Sequence, residues 1–302
     1  MTDFGCDIQD EKDEREPKGL EPVTPAWALR EDARARQEAI EASADGWHLF
    51  HSKITAPALA ALLRQPDLEF NPIKTPPQSD PCLSLFEDGA ERFDRLLTAQ
   101  AISDLYRIIS DESTDIAGQR LFGLQGLAEF LQDRSGVGDL ARKLSSNAAR
   151  PVRAILFDKS PQTNWALGWH QDRVLAVRER REVESFGPWS RKDGALHVAP
   201  PFEILTRMLT VRIHIDPATQ DNAPLLVAPG SHRLGRIAET DIASIVRRCG
   251  QAACLAQAGD VWVYSTPILH ASERSADPKR RRVLQIDYAD FDLPGGLEWL
   301  GV

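Results

Sequence analysis

An α+β fold, with helices on one face of an antiparallel barrel or jelly roll, is what this sequence predicts, and three observations carry the prediction. Helical periodicity dominates up to about residue 149. From about residue 150, short β-branched or aromatic runs take over, separated by Pro, Gly, Asp and Asn. Only residues 237–249, "IAETDIASIVRRC", carry a helix-length pattern between those runs. Helices and strands are therefore segregated rather than alternating.

In chain order, residues 1–24 hold seven acids and three bases before residue 20 and few apolar groups. Such a segment cannot bury enough apolar surface to order itself, so a disordered acidic tail is expected. Residues 25–302 are expected to form a single domain, with a mainly helical part over 25–149 and a β core over 150–290. "WALREDARARQEAIEASA" reads as a charged helix, stopped by Asp45 and Gly46, and "WHLFHSKI" as a short strand. Thr55 caps "APALAALLRQ", with Pro57 in its first turn. The proline-rich "NPIKTPPQSDP" is a loop, and helical patterns follow over residues 91–110, 124–132 and 139–146. Strands are expected over 152–158, 208–216, 224–230, 260–265 and 282–289.

Composition narrows the function. Hydrophobic residues make up 42% and charged residues 27%, ordinary for a globular protein with a substantial core. The net charge of −9 and the lack of a long basic run argue against nucleic acid or an anionic membrane as partner. No apolar run reaches the roughly 20 residues that span a bilayer. The acidic N-terminus has no apolar signal region, and the four scattered cysteines lack C-x-x-C spacing. A cytoplasmic protein with free thiols and a small-molecule substrate is expected.

Chemistry concentrates in "NWALGWHQDRVLAV", residues 164–177. On a strand, His170 and Asp172 would point to one face. Alone, that pair reads most simply as a surface pair or as a histidine satisfied by a neighbouring acid. Downstream, "YSTPILHASERSADPKRRRVLQIDYA" ends an apolar strand at His270 and opens another with three arginines. Two histidines and one carboxylate make a facial triad that leaves open positions on an iron. A bidentate 2-oxo acid and dioxygen fill such positions, and an arginine fork suits the acid's distal carboxylate.

"WHQD", "DNAPLLVAPGSHRLG" and "LHASERSADPKRRRVLQIDYA" together resemble the phytanoyl-CoA dioxygenase family of iron(II)/2-oxoglutarate oxygenases, over about residues 150–290. The resemblance implies a double-stranded β-helix (a cupin-like jelly roll), Fe(II), 2-oxoglutarate as cosubstrate and O2. It implies His170, Asp172 and His270 as catalytic metal ligands. It also implies Arg281 and Ser272 as cosubstrate contacts, with Asn222 a further candidate. Strand alternation separately prefers Arg281, whose face (Val283, Gln285, Asp287) is mixed, over Arg282, whose face is apolar. A one-residue slip would swap the two. Asp172 supplies the carboxylate that related halogenases lack, which points to hydroxylation.

Substrate-contact candidates are Trp165, Gln171, Arg173 and His197, each set against a plain packing role. Ser231 and His232 read as structural, and His214 as a packed or rim histidine. The arginine excess over residues 173–193 hints at an anionic substrate, against a solvated loop laced with ion pairs. The expected activity is hydroxylation of an aliphatic C–H with release of succinate and CO2. The competing reading is a non-redox, cupin-like metal-binding isomerase or ligand sensor, possible because the same donors suit zinc.

Overall fold

A computed structural model describes residues 82–110, 118–276 and 279–302. The acidic tail, and the helices and strand expected before residue 82, lie outside those residues. The described chain begins with helix α1 (Leu85–Asp88), strand β1 (Ala90–Phe93), helix α2 (Ala99–Ile109) and strand β2 (Gly118–Leu121). Helix α3 (Leu127–Glu129) runs into a π-helical turn (Phe130–Arg134), and helix α4 (Val137–Leu144) follows. Next come β3 (Arg150–Lys159), β4 (Leu167–His170), β5 (Leu175–Val177), β6 (Trp189–Lys192), β7 (Ala195–Val198) and helix α5 (Phe202–Leu205). Strands β8 (Leu209–His214) and β9 (Leu225–Val227) precede helix α6 (Glu239–Cys249). The last strands are β10 (Ala252–Cys254), β11 (Val261–Ser265), β12 (His270–Ser272) and β13 (Arg281–Ala289).

Alternation along the long strands sorts side chains between two environments. In β3, Arg153, Ile155, Phe157 and Lys159 line an interior cavity, while Ala154 and Leu156 enter the largest apolar core. In β13, Arg281 and Gln285 face the cavity, and Leu284, Ile286 and Tyr288 face the core. In β8, Arg212 turns in and Val211 and Ile213 turn out. These strands sit inside a six-stranded antiparallel sheet of order β1-β11-β8-β13-β3-β2. Its register places Arg281 opposite Lys159, and Gln285 opposite both Ile155 and Arg212.

The helices cover the outer face of this sheet. Leu105 and Ile109 of α2, Leu127, Phe130 and Leu131 of the following turns, and Val137 and Leu140 of α4 close the core against the outward strand residues. Tyr288 donates its hydroxyl to the Leu131 carbonyl at 3.0 Å, so a polar tip within that core is satisfied. A four-stranded sheet of order β10-β9-β12-β4 meets the inner face through polar links that include Lys159 and Arg153. Lys159 Nζ donates to Ser272 Oγ at 2.8 Å, and Arg153 Nη2 to Asp172 Oδ2 at 3.5 Å. The architecture is the jelly roll of an α+β protein, with its two sheets remaining separate hydrogen-bonded units rather than one closed barrel. A third sheet, β5-β7-β6, has its own apolar cluster around Leu175, Val177, Val198 and Trp299.

Two expectations need correction. The helix expected over 91–110 starts at Ala99, where the Thr98 side chain accepts from Ala101 N. The preceding Ala90–Phe93 instead pairs with β11, because the six-stranded sheet offers that edge. His270 does not end the apolar strand: β11 stops at Ser265, and His270 opens β12. Of the arginine-rich stretch, only Leu175–Val177 and Trp189–Lys192 join the third sheet, and residues 178–188 form the loop expected between them. Its exposed arginines do pair with acids, as in Arg178 with Glu298 at 3.0 Å and Arg180 with Glu182 at 2.8 Å.

Leu284 is fully buried between the sheet and the helices. Leu284→Ala should cost about 2–5 kcal/mol of stability, from the lost burial and the cavity left behind. Urea denaturation checks this, and an unchanged midpoint would mean that the helix layer does not press on this strand.

Candidate metal centre

β4 and β12 run antiparallel with His170 directly opposite His270, and the two imidazole centroids are 4.3 Å apart. Each ring is fixed by its own backbone. His170 Nδ1 lies 2.8 Å from the Gly168 carbonyl, and His270 Nδ1 lies 3.0 Å from the Ile268 carbonyl. A carbonyl can only accept, so each Nδ1 carries the hydrogen and each Nε2 presents a lone pair. Burial, and then the neighbouring His170, pull His270 down to about 4, which keeps it neutral and available as a ligand. Asp172 lies two residues past the end of β4. A ligand atom from each of His170, Asp172 and His270 falls within 4.8 Å of the others, a donor set that fits iron(II).

The carboxylate is oriented from behind. Arg153 reaches Asp172 while its Nε donates to Asp287 Oδ2 at 2.7 Å, and Thr210 donates to Asp287 Oδ1 at 3.1 Å. Gln171, between the two ligands, points away from the cavity. Its amide donates to the carbonyls of Gly235 (3.0 Å) and Pro267 (2.8 Å), and its oxygen accepts from Ile237 N at 2.9 Å. It therefore ties the His170 strand to the chain that leads into His270. Ser231 does related work, accepting from Leu269 N at 2.9 Å beside His270. His232 packs over Gly89, where φ is +81° and a Cβ would come within 2.2 Å of its ring.

At the other end of the cavity Arg281 is 2% exposed, and Arg212 and Lys159 are buried beside it. Among the described residues, no protein acceptor meets Nε or Nη1 of Arg281, or Nε of Arg212. Desolvation and then Arg212 pull Arg281 down to about 9, so the pair is short of negative charge. Ser272 lines the same wall. Arg282 points outward, donating to both oxygens of Asp216 at 2.7 and 2.8 Å, with Tyr106 beneath it.

Of the substrate candidates, Trp165 lines the cavity and the others do not. Arg173 donates to the Ile237 carbonyl at 2.6 Å. His197 is buried in the third sheet, accepting from Arg120 Nε at 3.2 Å. Asn222 lies beneath the loop after β12, accepting from Ser275 Oγ at 3.3 Å, and does not reach the cavity. In each case a nearby backbone or side-chain partner captures the polar group. His214 is fully buried on the inward side of β8, and neither ring nitrogen meets a protein partner among the described residues. Arg153, Lys159 and Arg212 line the cavity without having been singled out from sequence, and Gln285 lies there on the face that strand alternation gave it with Arg281. The signal of the first three was a basic residue on one alternating face of an otherwise apolar strand, as in "VRAILFDK" and "VRIH".

A two-histidine, one-carboxylate site inside a jelly roll, facing a cationic pocket, defines a class of metal-dependent enzymes. The model of the phytanoyl-CoA dioxygenase (PhyH) family matches residues 89–283, more than half of the chain, and this chain belongs to that family. No curated protein matches it in sequence. Among solved structures, EctD from S. alaskensis in its apoform is 19% identical, with a TM-score of 0.51, covering 70% of this chain and 78% of its own. The same enzyme with bound Fe is 19% identical with a TM-score of 0.50 at the same coverage. EvdMO1 is 19% identical with a TM-score of 0.51, covering 68% of this chain and 48% of its own. At such identities the likeness is one of fold. No helix among the described residues is long and apolar enough to cross a membrane.

Asn222→Ala should leave 2-oxoglutarate affinity within about twofold and lower stability by about 1 kcal/mol, through the lost bond to Ser275. Calorimetric titration alongside a melting curve checks both. A large loss of affinity at unchanged stability would return Asn222 to the cavity.

Proposed function

We propose that the protein is an Fe(II)- and 2-oxoglutarate-dependent dioxygenase that hydroxylates an aliphatic C–H of a small molecule, releasing succinate and CO2. The observation that carries this reading is Arg281. Its guanidinium is buried, Nε and Nη1 lack protein acceptors, and it shares one cavity with the three metal-ligating side chains. A buried fork without a carboxylate calls for one from outside. A non-redox metal site has no use for it.

Each side chain then has a task. His170, Asp172 and His270 would hold iron(II) on one face and leave the opposite positions open. Iron held there supplies the activation of dioxygen that is coupled to oxidation of 2-oxoglutarate to succinate. Arg281 and Ser272 would bind the distal carboxylate and so fix the length along which the 2-oxo group reaches the metal. Arg153 donates to one oxygen of Asp172 and would hold the carboxylate in place as a ligand. Trp165, Phe157 and Leu225 supply apolar wall that excludes water from the cavity.

Arg281→Ala removes the charge partner of a buried carboxylate, which typically costs about 2–5 kcal/mol. At about 1.4 kcal/mol per decade, 2-oxoglutarate affinity should fall roughly thirtyfold or more while iron(II) binding survives. Arg281→Lys should rescue only in part, for want of the planar fork. Arg282→Ala should leave the cosubstrate nearly untouched, because that residue is spent on Asp216. Anaerobic titration of 2-oxoglutarate into the iron(II) protein, followed by the metal-to-ligand charge-transfer band, reads all three. Oxygen uptake and succinate formation then test the reaction. An iron(II) protein that ignores 2-oxoglutarate would leave the isomerase or sensor reading standing.

His170→Ala or His270→Ala should abolish both iron retention and turnover, since two remaining ligands rarely hold iron(II) against water. Metal analysis after desalting checks the first and succinate release the second. Near-wild-type values in either variant would remove that residue from the triad.

A further inference from the structure

We propose that Lys159 is a positioning residue for the cosubstrate: it fixes the Ser272 hydroxyl as a hydrogen donor aimed into the anion end of the cavity. The inference rests on the oxygenase reading above and assigns a role that neither the sequence motifs nor the family likeness gives.

An ammonium has three hydrogens, and each of those on Lys159 has an acceptor. Nζ donates to the Trp165 carbonyl at 2.9 Å, the Glu273 carbonyl at 2.8 Å and Ser272 Oγ at 2.8 Å. All three partners lie on or beside the four-stranded sheet, whereas Lys159 ends β3 of the other sheet, directly opposite Arg281. Its stem also runs beneath the Trp165 ring, with Nζ 4.8 Å from the ring centroid. With every hydrogen taken, Lys159 cannot bind a carboxylate itself without giving up one of these bonds. Its hydrogen-bonding influence on a ligand passes through Ser272.

A serine hydroxyl has one hydrogen and two lone pairs. With a carboxylate in the cavity holding Lys159 as the ammonium, Lys159 fills one lone pair of Ser272, so the Ser272 hydrogen must point elsewhere, and no described residue accepts it. The wall that Ser272 shares with Arg281 and Arg212 is the remaining direction. There the hydrogen joins the two unpartnered donors of Arg281. A distal carboxylate set among them receives charge-assisted bonds from the fork and a third bond from Ser272. Burial, followed by Arg281 and Arg212, pulls the Lys159 ammonium down to about 6, and a carboxylate lodged nearby opposes that shift. Cosubstrate and Lys159 charge thus support one another.

The alternative is that Lys159 is only a strut between the sheets, and the test separates the two. Anaerobic iron(II) protein is titrated with 2-oxoglutarate and with 2-oxopentanoate, the same chain ending in a methyl group instead of a carboxylate. Lys159→Met should weaken 2-oxoglutarate roughly tenfold to a hundredfold, the range of one charge-assisted hydrogen bond, and leave 2-oxopentanoate within about twofold. Adding Ser272→Ala to Lys159→Met should change little more, because the two act as a unit. Equal weakening of both acids, or an unchanged ratio between them, overturns the proposal in favour of the strut. If Lys159→Met does not fold, Lys159→Leu carries the test: the same selective loss of 2-oxoglutarate is expected, with little further loss on adding Ser272→Ala, and its absence overturns the proposal. A wild-type protein that does not prefer 2-oxoglutarate over 2-oxopentanoate would instead sink the oxygenase reading beneath it.

Discussion

The site depends on one strand pairing. β4 runs antiparallel to β12 with His170 opposite His270, and no other register brings both imidazoles to the same rung. A slip of one residue would turn one ring to the far face of the sheet. Much of the surrounding polar structure serves to hold that register. Gln171 bonds the chain before His270 on one side and the Gly235–Ile237 segment on the other. Ser231 holds Leu269, and the Ala228 amide donates to the Leu269 carbonyl at 2.9 Å. These bonds are buried, so each would be expensive to leave unmade. The motif residues that read as possible contacts are thus the frame that keeps two ligands in line.

The facing sheet supplies a different constraint. Its inward positions read as rungs along β13: Arg281 with Lys159, Val283 with Phe157 and His214, Gln285 with Ile155 and Arg212, Asp287 with Arg153 and Thr210. The Asp287 rung is neutralised internally and braces Asp172, so the three candidate metal ligands lie at that end. The Arg281 rung carries only cations. Polarity therefore runs along the cavity, from a carboxylate-bearing pole to a cationic one. A ligand that is anionic at one end and chelating at the other fits that gradient in one orientation only.

Sequence carried the β half well because its strands are long and alternate cleanly. "RRVLQIDYA", residues 281–289, put Arg281 and Gln285 on one face and Leu284 and Ile286 on the other, which is the arrangement observed. Short strands were less legible. Ala90–Phe93 has four residues and no apolar alternation of its own, so its pairing with β11 comes from a distant sheet edge. The placement of His170, Asp172 and His270 together followed from motif order, but the fates of Asn222, Gln171 and His197 did not. Whether a buried polar group faces a cavity or a neighbouring carbonyl depends on loop paths that one sequence does not encode locally. Lys159 and Arg153 escaped notice for the opposite reason. Each looked like an ordinary charge near the edge of a strand until the second sheet was laid against it.

That second sheet also bears on why the cationic rung exists. Arg281 and Lys159 are direct cross-strand partners on one face, and like charges so placed destabilise a sheet. Arg212 adds a third cation nearby, and Asp172, the one acid among the described residues that line this cavity, belongs to the metal pole. Folding alone gives no reason to gather three cations in a buried space, since apolar residues of similar volume would pack there at lower cost. Lys159 recovers part of the penalty through its three oxygen acceptors, and Arg212 through Gln285 at 2.7 Å. Arg281 recovers least, with two of its donor nitrogens lacking protein acceptors among the described residues. The destabilisation is therefore concentrated on the one side chain best shaped to grip a carboxylate. A fold that tolerates this has its compensation outside the polypeptide, in an anion that arrives with the chemistry.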